Sequence, residues 1–394
     1  MIDYSKILPQ KIVEIPKSGI RKYFDMITPD MTDVISLTVG QPDFVTPWHI
    51  REAGIQSLET GKTFYTANAG LEELRREIDR YMTRRFNLSY DPLSEIIVTV
   101  GGSEAIDIAM RATLDIGDEV IIPTPSFVCY EPLAKMAGAT PIILKTYFED
   151  EFKIDPKKLK SLITDKTKMI VLPFPNNPTG AIMTKEELEE IANIVRDTNI
   201  VILSDEIYAE MTYGSQHCSI ATIDGMKERT IVVNGFSKAF AMTGWRLGWV
   251  CAPAPITSQM LKIHQYEIMS SPTTSQFAAI SALKNGDDDI SYMTAEYDRR
   301  RTLIYNKLLE MGIDSFEPKG AFYIFPKISQ FGLSGEEFCS ELLKRYHVAI
   351  VPGEAFGLSG NGFARISYAY SVRHITEGLD RMAKFIEDIK ANKI

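Results

Sequence analysis

The 394-residue sequence predicts an α/β protein: a largely parallel sheet covered by helices on both faces, joined to a second, smaller α+β domain. Three observations lead there. Short β-branched runs recur without polar alternation, as strands buried on both faces do. Segments of helical periodicity separate several of them, the pattern of strand–helix–strand units. After about residue 285 the texture changes to mixed helices and strands. We therefore expect a large domain over 46–284 and a smaller one built from 1–45 together with 285–394, with no obvious linker between them.

Taken in order, GLEELRREIDRYMTRRF (70–86) places Leu71, Leu74, Ile78, Met82 and Phe86 on one helical face. EIIVTV (95–100) reads as a strand that stops at Gly101-Gly102, and SEAIDIAMRATL (103–114) as the next helix. EVIIP (119–123), KMIVLPFP (168–175), IVILSD (200–205) and TIVVNGF (230–236) read as buried strands, with TKEELEEIANIVRD (184–197) a helix among them. Beyond residue 285, AEYDRRRTLIYNKLLEMG (295–312) and EEFCSELLKRY (336–346) read as helices. GAFYIFP (320–326), AIVPG (349–353) and FARISYA (363–369) read as strands.

Composition narrows the function classes. Lys and Arg number 43 against 52 Asp and Glu, a net charge of −9, which argues against a nucleic-acid partner. Four cysteines (129, 218, 251, 339) form no C-x-x-C, and the five histidines form no H-x-x-x-H, so no metal is expected and the thiols should be reduced. The N-terminus lacks the apolar run of a secretory signal, and no stretch approaches the ~18–20 apolar residues that span a bilayer. A soluble, cytoplasmic protein without a membrane partner is the expectation.

In a parallel sheet, ligands bind beyond the carboxyl ends of the strands, so the residues where each strand stops carry the information. Lys238 follows TIVVNGF; a lysine desolvated there has a lowered pKa and can serve as nucleophile or base, whereas its ordinary counterpart snorkels to water. Ser237 adds a hydroxyl, and Arg246 lies eight residues on; an arginine with a hydroxyl suits a phosphate. Gly102-Ser103 opening a helix offers backbone N–H groups to the same anion, although Gly-Gly can also be a plain turn. Asp205 ends a buried strand, where it either caps the next helix or pairs with a protonated ring nitrogen. Tyr208 follows by three residues. PNNPTG (175–180) is a loop that presents Asn177 to a ligand or merely turns, and the isomer of its Asn177–Pro178 bond is open. Phe127, just past a strand, either stacks on an aromatic ring or packs in the core.

SKAFAMTGWRLGW, PNNPTG, SDEIY, VGQPDFVTP (39–47) and GFARISYA together resemble the class I/II aminotransferases, over essentially the whole chain. The resemblance implies the fold type I of pyridoxal-phosphate-dependent transferases, with a mostly parallel seven-stranded sheet in the large, cofactor-binding domain. It implies pyridoxal 5′-phosphate as cofactor, with Lys238 as the Schiff-base lysine and general base. Asp205 matches the acid that keeps the pyridine nitrogen protonated, and Tyr208 and Asn177 match the partners of the ring oxygen. Phe127 matches the stacking aromatic. Gly102, Ser103, Glu104 (through its backbone), Ser237 and Arg246 match the phosphate cup. Tyr65 resembles a tyrosine that reaches the phosphate of the neighbouring subunit, which implies a homodimer with a shared active site. Arg365 matches the arginine that binds the substrate's α-carboxylate, with Gly40 assisting from its backbone.

The same resemblance implies a ping-pong transfer of an α-amino group from an L-amino acid to a 2-oxoacid such as 2-oxoglutarate. Some aspartate-preferring relatives carry a lysine where this chain has Ser103, and Ile20, in the segment over the substrate, suits an apolar or aromatic side chain. Alanine or aromatic donors are therefore expected. The alternatives are an aspartate aminotransferase, a C–S lyase on the same cofactor residues, and a ligand-sensing regulator, which would need a DNA-binding segment.

Overall fold

The computed structural model describes residues 2–24, 31 and 33–392. The 1–45 part of the expected small domain thus lies partly outside the described residues. The strands, in chain order, are β1 (Ile35–Ser36), β2 (Ile96–Thr99), β3 (Glu119–Thr124), β4 (Thr140–Lys145), β5 (Thr167–Leu172), β6 (Val201–Asp205), β7 (Thr230–Gly235), β8 (Gly248–Cys251), β9 (Tyr323–Ile324), β10 (Val348–Ala349), β11 (Val351–Pro352) and β12 (Ala364–Ser367).

Seven of them form the central sheet in the order β2-β8-β7-β6-β5-β3-β4, and β8 alone runs against the rest. The apolar runs are buried on both sides, as their lack of polar alternation requires. Ile121, Ile170 and Ile202 pack into one apolar cluster, whereas their chain neighbours Val120, Ile122, Met169, Val171 and Leu203 pack into another on the opposite face. Each such side chain contributes about 1.5–3 kcal/mol over leaving it exposed.

Helices cover both faces and are specified locally. Thr184 and Glu187 close a reciprocal capping box that starts the helix Lys185–Val195. The helix Glu72–Phe86 buries Leu74, Ile78, Met82 and Phe86, the face its periodicity marks, and Asn87 ends it in the left-handed conformation. No described helix is long and apolar enough to cross a membrane.

A second set of small sheets, β1 paired with β10 and β9-β12-β11 antiparallel, packs with the helices Asp287–Glu310, Gly335–Tyr346 and Val372–Lys390. Here the structure departs from the pattern read in the sequence. In GAFYIFP only Tyr323–Ile324 is strand, after a turn at Ala321 and Phe322, and the predicted AIVPG strand is split into β10 and β11. The long helix begins at Asp287, eight residues before its expected start, where three acidic residues suit the positive end of the helix dipole. β4 and β8 were not apparent. β4 is an edge strand half exposed to water, and β8 is four residues opened by a glycine.

Candidate active site

Beyond the carboxyl edge of the seven-stranded sheet lies a cavity of about 340 Å³. It is lined by Ile20, Gly40, Gly102, Ser103, Phe127, Asn177, Asp205, Tyr208, Ser237, Lys238, Arg246 and Arg365, all predicted site residues.

Lys238 sits in the single turn Phe236–Ala239 directly after β7. Its Nζ donates to the Gly40 carbonyl at 2.6 Å and lies 5.8 Å from the centre of the Tyr208 ring. Loss of hydration lowers its pKa from 10.5 to about 8, with the charges of Arg365 and then Arg246 adding to the effect and Asp205 opposing it. A neutral, nucleophilic amine is therefore available near neutral pH.

Asp205 is the last residue of β6 and is buried. Its Oδ2 accepts from the Tyr130 hydroxyl at 2.6 Å and its Oδ1 from the Ile207 N–H at 3.2 Å. Burial raises its pKa, and these two hydrogen bonds pull it partly back. The Tyr208 hydroxyl shares a 2.7 Å hydrogen bond with that of Tyr323, and burial raises its pKa far above the usual tyrosine range.

Asn177 lies in the loop after β5, and the Asn177–Pro178 bond, open in the sequence, is cis. Its Oδ1 accepts from Arg365 Nη1 at 2.9 Å. Arg365 comes from β12, outside the central sheet, and is only 2% exposed. Its Nη2 donates to the Thr38 carbonyl at 2.5 Å, and its guanidinium lies 4.5 Å from the Tyr323 ring centre and 4.9 Å from that of Phe356. Buried Nε has no hydrogen-bond partner among the described residues.

On the other side, Gly102 and Ser103 open the helix Gly102–Thr113, and Ser237 and Arg246 face the same space. The reversal of β8 explains the last of these. Gly235 at the end of β7 pairs with Gly248 at the start of β8, so the residues entering β8 lie at the edge where β7 stops. Gly101 has φ +83°, and a Cβ there would stand 2.8 Å from Arg246 Nη2; only glycine lets the guanidinium lie against the helix start. Helix N–H groups, two hydroxyls and a guanidinium make a site for an anion such as phosphate.

Two predicted residues do not line the cavity. Glu104 turns its carboxylate away, accepting from the Val100 N–H and from His264 Nδ1, the latter at 2.6 Å. Tyr65 is 78% exposed in the single chain. Conversely, Tyr130 and Tyr323 line the cavity without having been singled out. The signal for Tyr130 is its place three residues beyond Phe127, whose ring it meets edge-on at 6.2 Å. Tyr323, between two other apolar residues in GAFYIF, is indistinguishable from core.

Residues 32–382 match the family model described as aminotransferase class I and II. The chain is 51% identical over 379 residues to a putative aminotransferase, YugH, of Bacillus subtilis, covering 96% of this chain and 98% of that one. It is 46% identical over 376 residues to an aspartate aminotransferase of Pyrococcus abyssi, covering 95% and 96%. Among solved structures, an aromatic aminotransferase from Pyrococcus horikoshii superposes with a TM-score of 0.89 at 44% identity, covering 94% of this chain and 99% of that one.

Proposed function

Because the chain belongs to the class I and II aminotransferase family, we propose that it moves the α-amino group of an L-amino acid, preferentially alanine or an aromatic one, to a 2-oxoacid such as 2-oxoglutarate. The observation that carries this reading is Lys238, a lysine of lowered pKa set between an anion cradle and the buried guanidinium of Arg365.

The residues present fit pyridoxal 5′-phosphate. Asp205 is an acid whose pKa burial raises, Arg365 keeps an unpaired buried donor, and the Gly101–Arg246 contact leaves an anion cradle open. Gly102, Ser103, Ser237 and Arg246, with the backbone of Glu104, would hold the phosphate. Asp205 would hold the ring nitrogen, Asn177 and Tyr208 the ring oxygen, and Phe127 a ring face. Bound there, the cofactor supplies an electron sink for the carbanion formed at the substrate's Cα. Arg365 takes the α-carboxylate through its planar fork, with Gly40 assisting, and so fixes the Cα–H bond. Lys238 Nζ then takes the Cα proton as general base and returns it as general acid, which its lowered pKa permits near neutrality.

The donor preference rests on the cations of the cavity wall. Among the described residues these are Lys238, Arg246 and Arg365, each with a role above, while Ile20 and Val39 present apolar surface. Aspartate is the competing donor, since the Pyrococcus abyssi relative is an aspartate aminotransferase. We further propose that residues 46–284 bind the cofactor, with 1–45 and 285–394 as the smaller domain. The working form would be a homodimer, with exposed Phe64, Tyr65 and Tyr266 facing the second subunit. Steady-state rates over a panel of amino donors test the substrate; aspartate far exceeding alanine and tyrosine would overturn it. Lys238→Ala should abolish transamination and the borohydride-reducible chromophore, and retained activity would sink the assignment.

A further inference from the structure

Behind the anion cradle lies a buried glutamate–histidine hydrogen bond whose residues do not line the cavity. Glu104 is the third residue of the helix Gly102–Thr113, and His264 belongs to the helix Ala254–Glu267 packed against it. The two side chains meet at 2.6 Å, with His264 fully buried and Glu104 nearly so. A carboxylate only accepts, so His264 carries its hydrogen on Nδ1. The second Glu104 oxygen accepts from the Val100 N–H, just before the turn that opens the helix. From the strand side, the Thr99 hydroxyl holds the Gly101 carbonyl at 3.0 Å. His264 Nε2 is buried without a partner, a polar cost retained next to this contact.

We propose that Glu104 and His264 form the positioning unit of the phosphate cradle, which holds the Val100–Gly102 turn so that the first N–H groups of the helix converge on the cofactor's phosphate. The physical argument has two parts. Gly101, at φ +83°, is a conformationally permissive glycine, so the local chain does not fix the Val100–Gly102 turn by itself, and the Glu104 carboxylate ties its leading N–H back to the helix. A free carboxylate at the third helix position would also face the incoming phosphate dianion and repel it. His264 draws that charge backward, away from the cavity, so that the helix start presents donors only.

The inference rests on the cavity taking pyridoxal 5′-phosphate, and the test separates the two ideas. The full chain, freed of cofactor, is titrated with pyridoxal 5′-phosphate and with pyridoxal, and binding is followed by the absorbance of the bound aldehyde. In Glu104→Ala, affinity for pyridoxal 5′-phosphate should fall at least about tenfold, the usual scale for a lost charged hydrogen bond, while that for pyridoxal holds within about twofold. Glu104→Gln, which keeps an acceptor for Val100, should restore most of the loss. If Glu104→Ala fails to fold, His264→Gln should show the same phosphate-selective loss. Equal weakening of both ligands, or weakening of neither, overturns the positioning role. Wild-type protein that binds pyridoxal 5′-phosphate no better than pyridoxal overturns the cofactor reading instead.

Discussion

Freed of its cofactor, Lys238 should titrate near pH 8 instead of 10.5, a difference of roughly 3 kcal/mol against the charged amine. At pH 7 about one molecule in ten then carries the neutral amine, against about one in three thousand for an ordinary lysine. Trace acylation across the neutral-to-alkaline range, read peptide by peptide in a mass spectrometer, measures this directly. Arg365→Met removes a repelling cation but leaves the larger desolvation effect, so the Lys238 midpoint should rise yet stay below 10.5. The sign for stability follows from the same shift. Between pH 8 and 10.5 the unfolded chain holds a proton at this lysine that the folded chain has released, so this group's contribution to stability rises with pH in that window. Its penalty is fully present below pH 8. In urea melts of the cofactor-free protein, the gain from Lys238→Met should therefore shrink as pH climbs through that range. A Lys238 labelling midpoint at 10.5 would refute the reasoning.

Gly101→Ala should cost about 1–3 kcal/mol of stability from the backbone conformation alone, checked by the denaturant midpoint. It should also weaken pyridoxal 5′-phosphate binding, because the new methyl displaces Arg246. Arg365→Lys replaces a planar fork by a point charge and should raise KM for the amino donor about tenfold or more, with a smaller change in kcat, measured at saturating oxoacid. If Tyr65 serves the neighbouring subunit, Tyr65→Phe and Lys238→Ala chains refolded together should show more activity per intact Lys238 than Tyr65→Phe homodimers. Hybrids without that gain would place Tyr65 outside the shared site.

Strand ends and the resemblance together pointed to the site: a parallel sheet puts its carboxyl ends on one edge, where Gly102, Ser103, Phe127, Asn177, Asp205, Tyr208, Ser237 and Lys238 line the cavity, while Ile20, Gly40, Arg246 and Arg365 reach it from elsewhere in the chain. Tyr130 and Tyr323 escaped for a physical reason. Each acts by hydrogen bonding to a group far along the chain, Asp205 and Tyr208 respectively, and neither bond leaves a periodic or compositional trace. Glu104 was placed in the cup for its backbone, but what its carboxylate touches depends on His264, 160 residues away.

What the sequence determined by itself is local: buried strands from uninterrupted β-branched runs, amphipathic helices from their spacing, and reactive residue types stationed where strands end. The tertiary structure decided what depends on neighbours. It reversed β8, which returns Arg246 to the edge where Lys238 stands. It brought Arg365 from a separate sheet to Asn177, 188 residues away in sequence. It also lowered the pKa of Lys238, because desolvation and the fields of two arginines arise only when the chain closes around the amine.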